Sequence, residues 1–353
     1  MTTSHLWPGV PFALASAALF GASTPLAKLL LGAVDPWLLA GILYLGAGLG
    51  LALVRPWSHR FGAAAVEAPL RRTDLPWLAA VVLFGGVVGP VLLMLGLART
   101  GAATSALLLN LESLATLAIA WLVLKENVDR RIAFGASAIL AGAFVLSWSG
   151  GEIGLNRGAL LVAGACLCWG IDNNLSRKLS AADPMQIAMI KGLVAGPINL
   201  LLALVQSASL PAPGPFLGGM LVGLLGYGAS HALFILALRH FGAARTGAYF
   251  ATAPFVGAVL AIPMFGEQRS WQLLAAGGLM AVGVWLHLTE RHEHEHAHEP
   301  IEHEHPHLHD EHHRHRHGTE HPEGEPHTHR HRHGRLVHRH PHFPDLHHRH
   351  AHD

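Results

Sequence analysis

The sequence predicts an all-α membrane protein: ten transmembrane helices in two inverted five-helix repeats, followed by a disordered His-rich tail. Three observations predict it. Of 353 residues, 51% are hydrophobic and only 13% are charged, about half the charged share of a soluble domain. The apolar residues gather into ten runs, each near the ~20 residues that cross a bilayer at about 1.5 Å per residue. One stretch is also written twice. Gly101, Ala102, Ala103, Ala120 and Glu126 match Gly242, Ala243, Ala244, Ala261 and Glu267 at one constant offset. Two copies of one membrane segment mark an internal duplication.

The runs cover about 10–31, 36–54, 76–97, 102–124, 131–148, 158–177, 185–205, 216–238, 245–265 and 270–289. They group into a first repeat, 10–148, a second, 158–289, and a tail, 292–353. The N-terminus, MTTSHLWPGV, carries no basic n-region, so the first run is expected to stay as a helix. That run ends Gly21-Ala-Ser-Thr-Pro-Leu-Ala-Lys28 with Asp35-Pro36 beyond it. Allowing one gap, this parallels Gly170-Ile-Asp-Asn-Asn-Leu-Ser-Arg177 with Asp183-Pro184 in the sixth run. Five is odd, so the second repeat enters the membrane inverted, and such repeats place a solute path between them near the midplane. With the N-terminus inside, Arg55, Arg60, Arg71, Arg72, Lys125, Arg130, Arg131, Arg177, Lys178, Arg239 and Arg245 are cytoplasmic. Only Lys28, Arg99, Arg157 and Arg269 lie outside. This positive-inside bias puts both termini in the cytoplasm.

Two five-helix repeats, a Gly-Ala-Ala opening to each fourth helix, Leu-Glu-Ser or Ala-Pro in its middle and a closing Glu resemble the EamA family of the drug/metabolite transporter superfamily. The resemblance covers about 10–290. It implies ten helices, cytoplasmic termini and transport of small organic solutes across the inner membrane. The first repeat departs from the usual Glu-Pro with Glu112-Ser113, and the second has Ala253-Pro254.

Polar residues within the runs are the site candidates. Glu112 sits near the middle of the fourth run, where a carboxylate costs a few kcal/mol or more and should face protein or water. It is read as a coupling or amine-binding carboxyl, or else a structural one, with Lys191 and His231 as its expected partners. Asp172, Asn173 and Asn174 cover most of a helix circumference, so not all can face lipid. They are read as cavity hydrogen-bonders, or as the place where the helix leaves the membrane. Lys191 either pairs with Asp172 or Glu112, binds an anionic group, or snorkels to the interface. Pro197 and Asn199 suggest a kink in the same run. His231 is read as a hydrogen-bonded packing group, or else as one with a substrate or proton role; Trp169, Tyr249 and Asn110 are candidates to line the path, with packing the plainer reading of each. Glu126 and Glu267 are expected to cap or pair within their own short loops. Cys166 and Cys168 stand two apart in one run, which does not suit a disulfide, and are read as core residues.

Of 29 His, only His5, His59, His231, His240 and His287 precede the tail. The tail lacks apolar periodicity and is expected to be disordered. Its imidazoles and carboxylates suit Ni²⁺, Zn²⁺, Co²⁺ or Cu²⁺ in several loose sites, represented by His292, His294, His296, His298, His303, His305, His307, His309, His312 and His313. No cofactor is required.

The expected function is a secondary transporter of small organic solutes, in the direction of efflux, working by alternating access with a metal-binding cytoplasmic tail. One alternative keeps the fold and makes a divalent metal the solute, with the tail as collector or sensor. Another makes the protein a membrane-anchored metal sensor. An enzyme is not expected: no Ser/His/Asp set, His-Glu-x-x-His or phosphate-cradling Gly loop is present. Nor is nucleic acid an expected partner. The partners are the bilayer, the solute and transition-metal ions, and a homodimer is compatible with the sequence.

Overall fold

The computed structural model describes residues 9–60, 72–123, 130–148, 156–176, 183–268 and 270–289, together with Leu70, Leu179 and four tail segments. The helices are α1 (Gly9–Leu30), α2 (Pro36–Arg60), α3 (Arg72–Arg99), α4 (Ala102–Leu122), α5 (Arg130–Ser147), α6 (Arg157–Ser176), α7 (Pro184–Val205), α8 (213–250), α9 (Ala253–Phe265) and α10 (Trp271–Leu288). Nine of the described helices are long and apolar enough to cross a membrane, and α9 is a shorter apolar helix. Lys125, Glu126, Arg177, Lys178 and Arg269 lie outside the described residues.

Large apolar side chains such as Leu53, Val205, Leu210 and Trp271 are exposed, the pattern of helices solvated by lipid rather than water. Leu38, Leu39, Ile42, Leu43, Met94, Leu97, Ile139 and Met280 are fully buried. Backbones approach closely where side chains are small, as expected where van der Waals packing holds helices together. At the α2–α7 crossing, a Cβ on Gly192 would lie 2.4 Å from the Gly48 nitrogen.

Two helices carry a π turn, α3 at Val82–Val88 and α8 at Gly223–Ala229. The separation of Val82 from Gly223 is also that of Gly101 from Gly242. Such turns cluster at functional sites. A second pair of irregularities follows the same spacing to within a residue. α4 is interrupted at Leu109–Asn110, and α8 gives way to α9 at Ala251–Thr252.

In the tail, β1 (Glu293–His298) pairs antiparallel with β4 (Leu336–Pro341), and β2 (Glu302–His307) with β3 (His327–Arg332). His292, His309, His312 and His313 lie outside the described residues.

Candidate functional site

α6 supplies the polar core of the membrane part because Trp169, Asp172 and Asn173 stand three and four apart on one helical face. With Glu112 of α4, Lys191 of α7 and the π turn of α8, they line a cavity of about 70 Å³. Phe20, Tyr44, Tyr227, Ser230, His231, Phe234 and Phe250 complete its wall.

Asp172 and Lys191 form an ion pair, 3% and 6% exposed. The Ser176 hydroxyl donates to Asp172 Oδ1 at 3.1 Å. Gly85, in the π turn of α3, makes room for the pair: a Cβ there would lie 2.0 Å from Asp172 Oδ2 and 2.6 Å from Lys191 Nζ. The same turn presents carbonyls to the site. Gly85 O accepts from the Tyr44 hydroxyl at 2.5 Å and from Trp169 Nε1 at 3.1 Å. Gly86 O accepts from Asn199 Nδ2 at 3.0 Å. The Asn199 Nδ2 is thus held by α3 while its Oδ1 is buried without a partner, and Pro197 lies inside the continuous helix α7.

Glu112 does not pair with Lys191 or His231, which corrects the expectation. Its Oε1 accepts from Asn173 Nδ2 at 2.9 Å, and Asn173 also reaches Thr116 Oγ1 at 3.2 Å. Lys191 is committed to Asp172. The His231 ring instead stacks on Phe234, with centroids 6.4 Å apart and planes 13° apart. Among the described residues no Lys or Arg forms an ion pair with Glu112. Glu112 is only partly buried and lines the cavity.

Asn174 faces away from this group, donating to Thr116 O at 3.0 Å and Gly170 O at 2.8 Å. Asn110 donates to Leu107 O at 3.0 Å within α4. Phe250 lines the cavity rather than its neighbour Tyr249. Both cysteines are free and buried, as read from their spacing.

Of the aromatic wall, the sequence points to Trp169 alone. Phe20 lies 5.9 Å from Trp169, 5.8 Å from Tyr227 and 5.2 Å from Phe250, and Tyr44 lies 5.4 Å from Tyr227. Trp169 is a candidate from the sequence, whereas Phe20, Tyr44, Tyr227 and Phe250 carry no signal there, because an aromatic residue in an apolar run reads as lipid-facing or core. Tyr227 lies within the π turn of α8 that matches the π turn of Gly85 at the repeat offset. Among the described residues no three His, Cys, Asp or Glu side chains converge to hold a metal ion.

At the other end of the bundle lies a second polar group. Glu267 Oε1 accepts from Ala102 N at 2.6 Å and Oε2 from Ala103 N at 3.2 Å. It therefore caps α4 from across the molecule and not its own loop, which corrects the expectation. Lys28 Nζ donates to Leu97 O, and to Thr100 O at 3.0 Å.

A family model described as the EamA-like transporter family matches residues 7–148 and 156–289. A protein of Methanothermobacter thermautotrophicus named an uncharacterized transporter is 28% identical over 296 residues, covering 80% of this chain and 86% of that one. A solved crystal structure shares the fold, with a TM-score of 0.61 at 20% identity over 80% of this chain and 98% of that one.

Proposed function

The chain belongs to the EamA-like transporter family, and from that premise we propose that it moves a small polar or amphipathic organic solute across the inner membrane by alternating access. The moving parts are two inverted five-helix halves, 10–148 and 158–289, with α9 as the shortest of ten crossings. Both termini are cytoplasmic in this reading, and efflux is the favoured direction.

One observation carries the proposal: Glu112 lines a cavity inside the membrane part, and its bonded partner is a neutral amide. A carboxylate at that depth is costly unless a cation or proton compensates it. Asp172 and Lys191 compensate each other, so the cavity is left with one negative charge to satisfy. A proton or a solute cation does so. Glu112 is therefore the coupling or binding carboxyl, and Asn173 orients it. The aromatic rings give the solute an apolar wall, Trp169 and Tyr44 hold the Gly85 carbonyl, and Lys191 and His231 tune the site as neighbours.

The test begins with a comparison of small metabolites and metals in cells with and without the protein. The solute that differs is then followed in proteoliposomes under a pH gradient. Glu112→Gln is expected to lose gradient-driven flux while keeping the fold. Flux equal to wild type for every solute the wild type moves would overturn the role.

A metal-binding tail forms a second, separable part of the proposal. The strand register supports it: His294 stands opposite His340, His296 opposite His338, His303 opposite His331, and His305 opposite His329. Imidazole is a ligand suited to borderline divalent ions.

A further inference from the structure

We propose that the cavity beside Glu112 selects an organic monocation, an amine with an apolar body and no carboxylate, over amino-acid zwitterions and anions. The inference rests on the transport reading above and names the class of its solute.

The selection begins with charge. Among the described residues that line the cavity, Glu112, Asp172 and Lys191 carry the formal charges, with His231 counted as neutral. Asp172 and Lys191 meet and cancel. Glu112 is answered by the Asn173 amide, a neutral donor, at 2.9 Å. The wall therefore holds one net negative charge. A solute with a single positive charge makes the filled cavity neutral. A zwitterion leaves the negative charge standing, and an anion adds a second. Uncompensated charge is expensive at membrane depth, so the three classes rank in that order. Lys191 does not reverse the ranking. Its ammonium is nearly fully buried against a carboxylate, and a solute carboxylate that recruited it would strip Asp172 of its partner.

The rest of the wall favours the same class. Phe20, Tyr44, Trp169, Tyr227, Phe234 and Phe250 all line the cavity, and they form one connected set of rings. Between centroids, Phe20 lies 5.9 Å from Trp169, 5.8 Å from Tyr227 and 5.2 Å from Phe250. Tyr44 lies 5.4 Å from Tyr227, and Phe234 lies 4.9 Å from Phe250. The planes of these pairs are inclined by 36° to 74°, so the rings in them do not cover one another face to face. The face of an aromatic ring is the negative pole of its quadrupole, and it attracts a cation within about 6 Å of its centroid. The same faces repel an anion. They also give an apolar body a surface to pack on. Carboxylate and rings thus ask for one kind of solute, positive at one point and apolar elsewhere.

The test is isothermal titration of the full chain in nanodiscs with four probes that share a phenyl ring. Phenethylamine is a monocation, phenylalanine a zwitterion, phenylacetate an anion and 2-phenylethanol neutral. Phenethylamine should bind about tenfold or more tighter than each of the others. Glu112→Gln removes the net charge, so it should weaken phenethylamine by about that factor and leave phenylalanine within about twofold. Phe20→Leu should weaken phenethylamine about fivefold and keep the order of the four. The wild-type ranking decides the matter even if a variant does not insert. Phenylalanine or phenylacetate binding as tightly as phenethylamine, a preference that survives Glu112→Gln, or no binding of any probe would overturn the selection. The transport reading is judged separately. Glu112-dependent flux of a zwitterion or an anion in proteoliposomes would remove the cation class and leave the transporter standing.

Discussion

Separating the buried pair is expected to be the most damaging single change to the membrane core. Lys191→Met leaves the Asp172 carboxylate 3% exposed with one remaining donor, Ser176 at 3.1 Å. Asp172→Asn leaves an ammonium facing a neutral amide in the same enclosed space. Both groups are nearly fully buried, 3% and 6% exposed, so solvent screening of the kind that weakens surface ion pairs is small here. Removing one member of a buried pair costs about 3–5 kcal/mol, a factor of a hundred or more in the folded-to-unfolded ratio. The double variant, Asp172→Asn with Lys191→Met, buries no net charge and should lie within about 2 kcal/mol of wild type. The coupling in the cycle is then about 4 kcal/mol or more. The assay is reversible unfolding in mixed micelles with increasing SDS, followed by far-ultraviolet circular dichroism for all four proteins. Single variants costing under about 1 kcal/mol, or a double variant costing the sum of the singles, would refute the claim that the pair is desolvated.

Two further outcomes follow from other parts of the chain. Gly85→Ala places a Cβ 2.0 Å from Asp172 Oδ2 and should destabilise by about 2 kcal/mol or more, whereas Gly278→Ala, with nothing within 4 Å, should be neutral or gain up to about 1 kcal/mol; the same unfolding assay compares them. For the tail, isothermal titration with Ni²⁺ or Zn²⁺ should show several sites on the full chain and none on a chain ending at Arg291. Shuffling 292–353 at constant composition should reduce the affinity if cross-strand His pairs hold the metal. Equal binding before and after the shuffle would mean that register plays no part.

Glu112, Asp172, Asn173 and Lys191 were legible as candidates because an ionisable or polar group in a membrane run is expensive and therefore conspicuous. The apolar runs were legible for a related reason: hydropathy is a one-dimensional property, and the bilayer fixes the length it must cover. The doubled Gly-Ala-Ala segment was visible in the residues themselves, and the two π turns later fell at its spacing. The choice among partners was not legible. Asn173, and not Lys191, bonds Glu112; Gly85 opens the space for the ion pair; and Glu267 reaches the start of another helix.

The amino-acid order alone therefore determined where the chain crosses lipid, which groups had to be sheltered from it, and that one half echoes the other. Only the tertiary structure decided which sheltered groups meet. A helix that is apolar nearly all round gives little sign of how it is rotated about its own axis, and that rotation selects the neighbour each polar side chain faces. The aromatic wall around Phe20 and Tyr227 was hidden for the same reason, because a ring turned toward a cavity and a ring turned toward lipid are written identically.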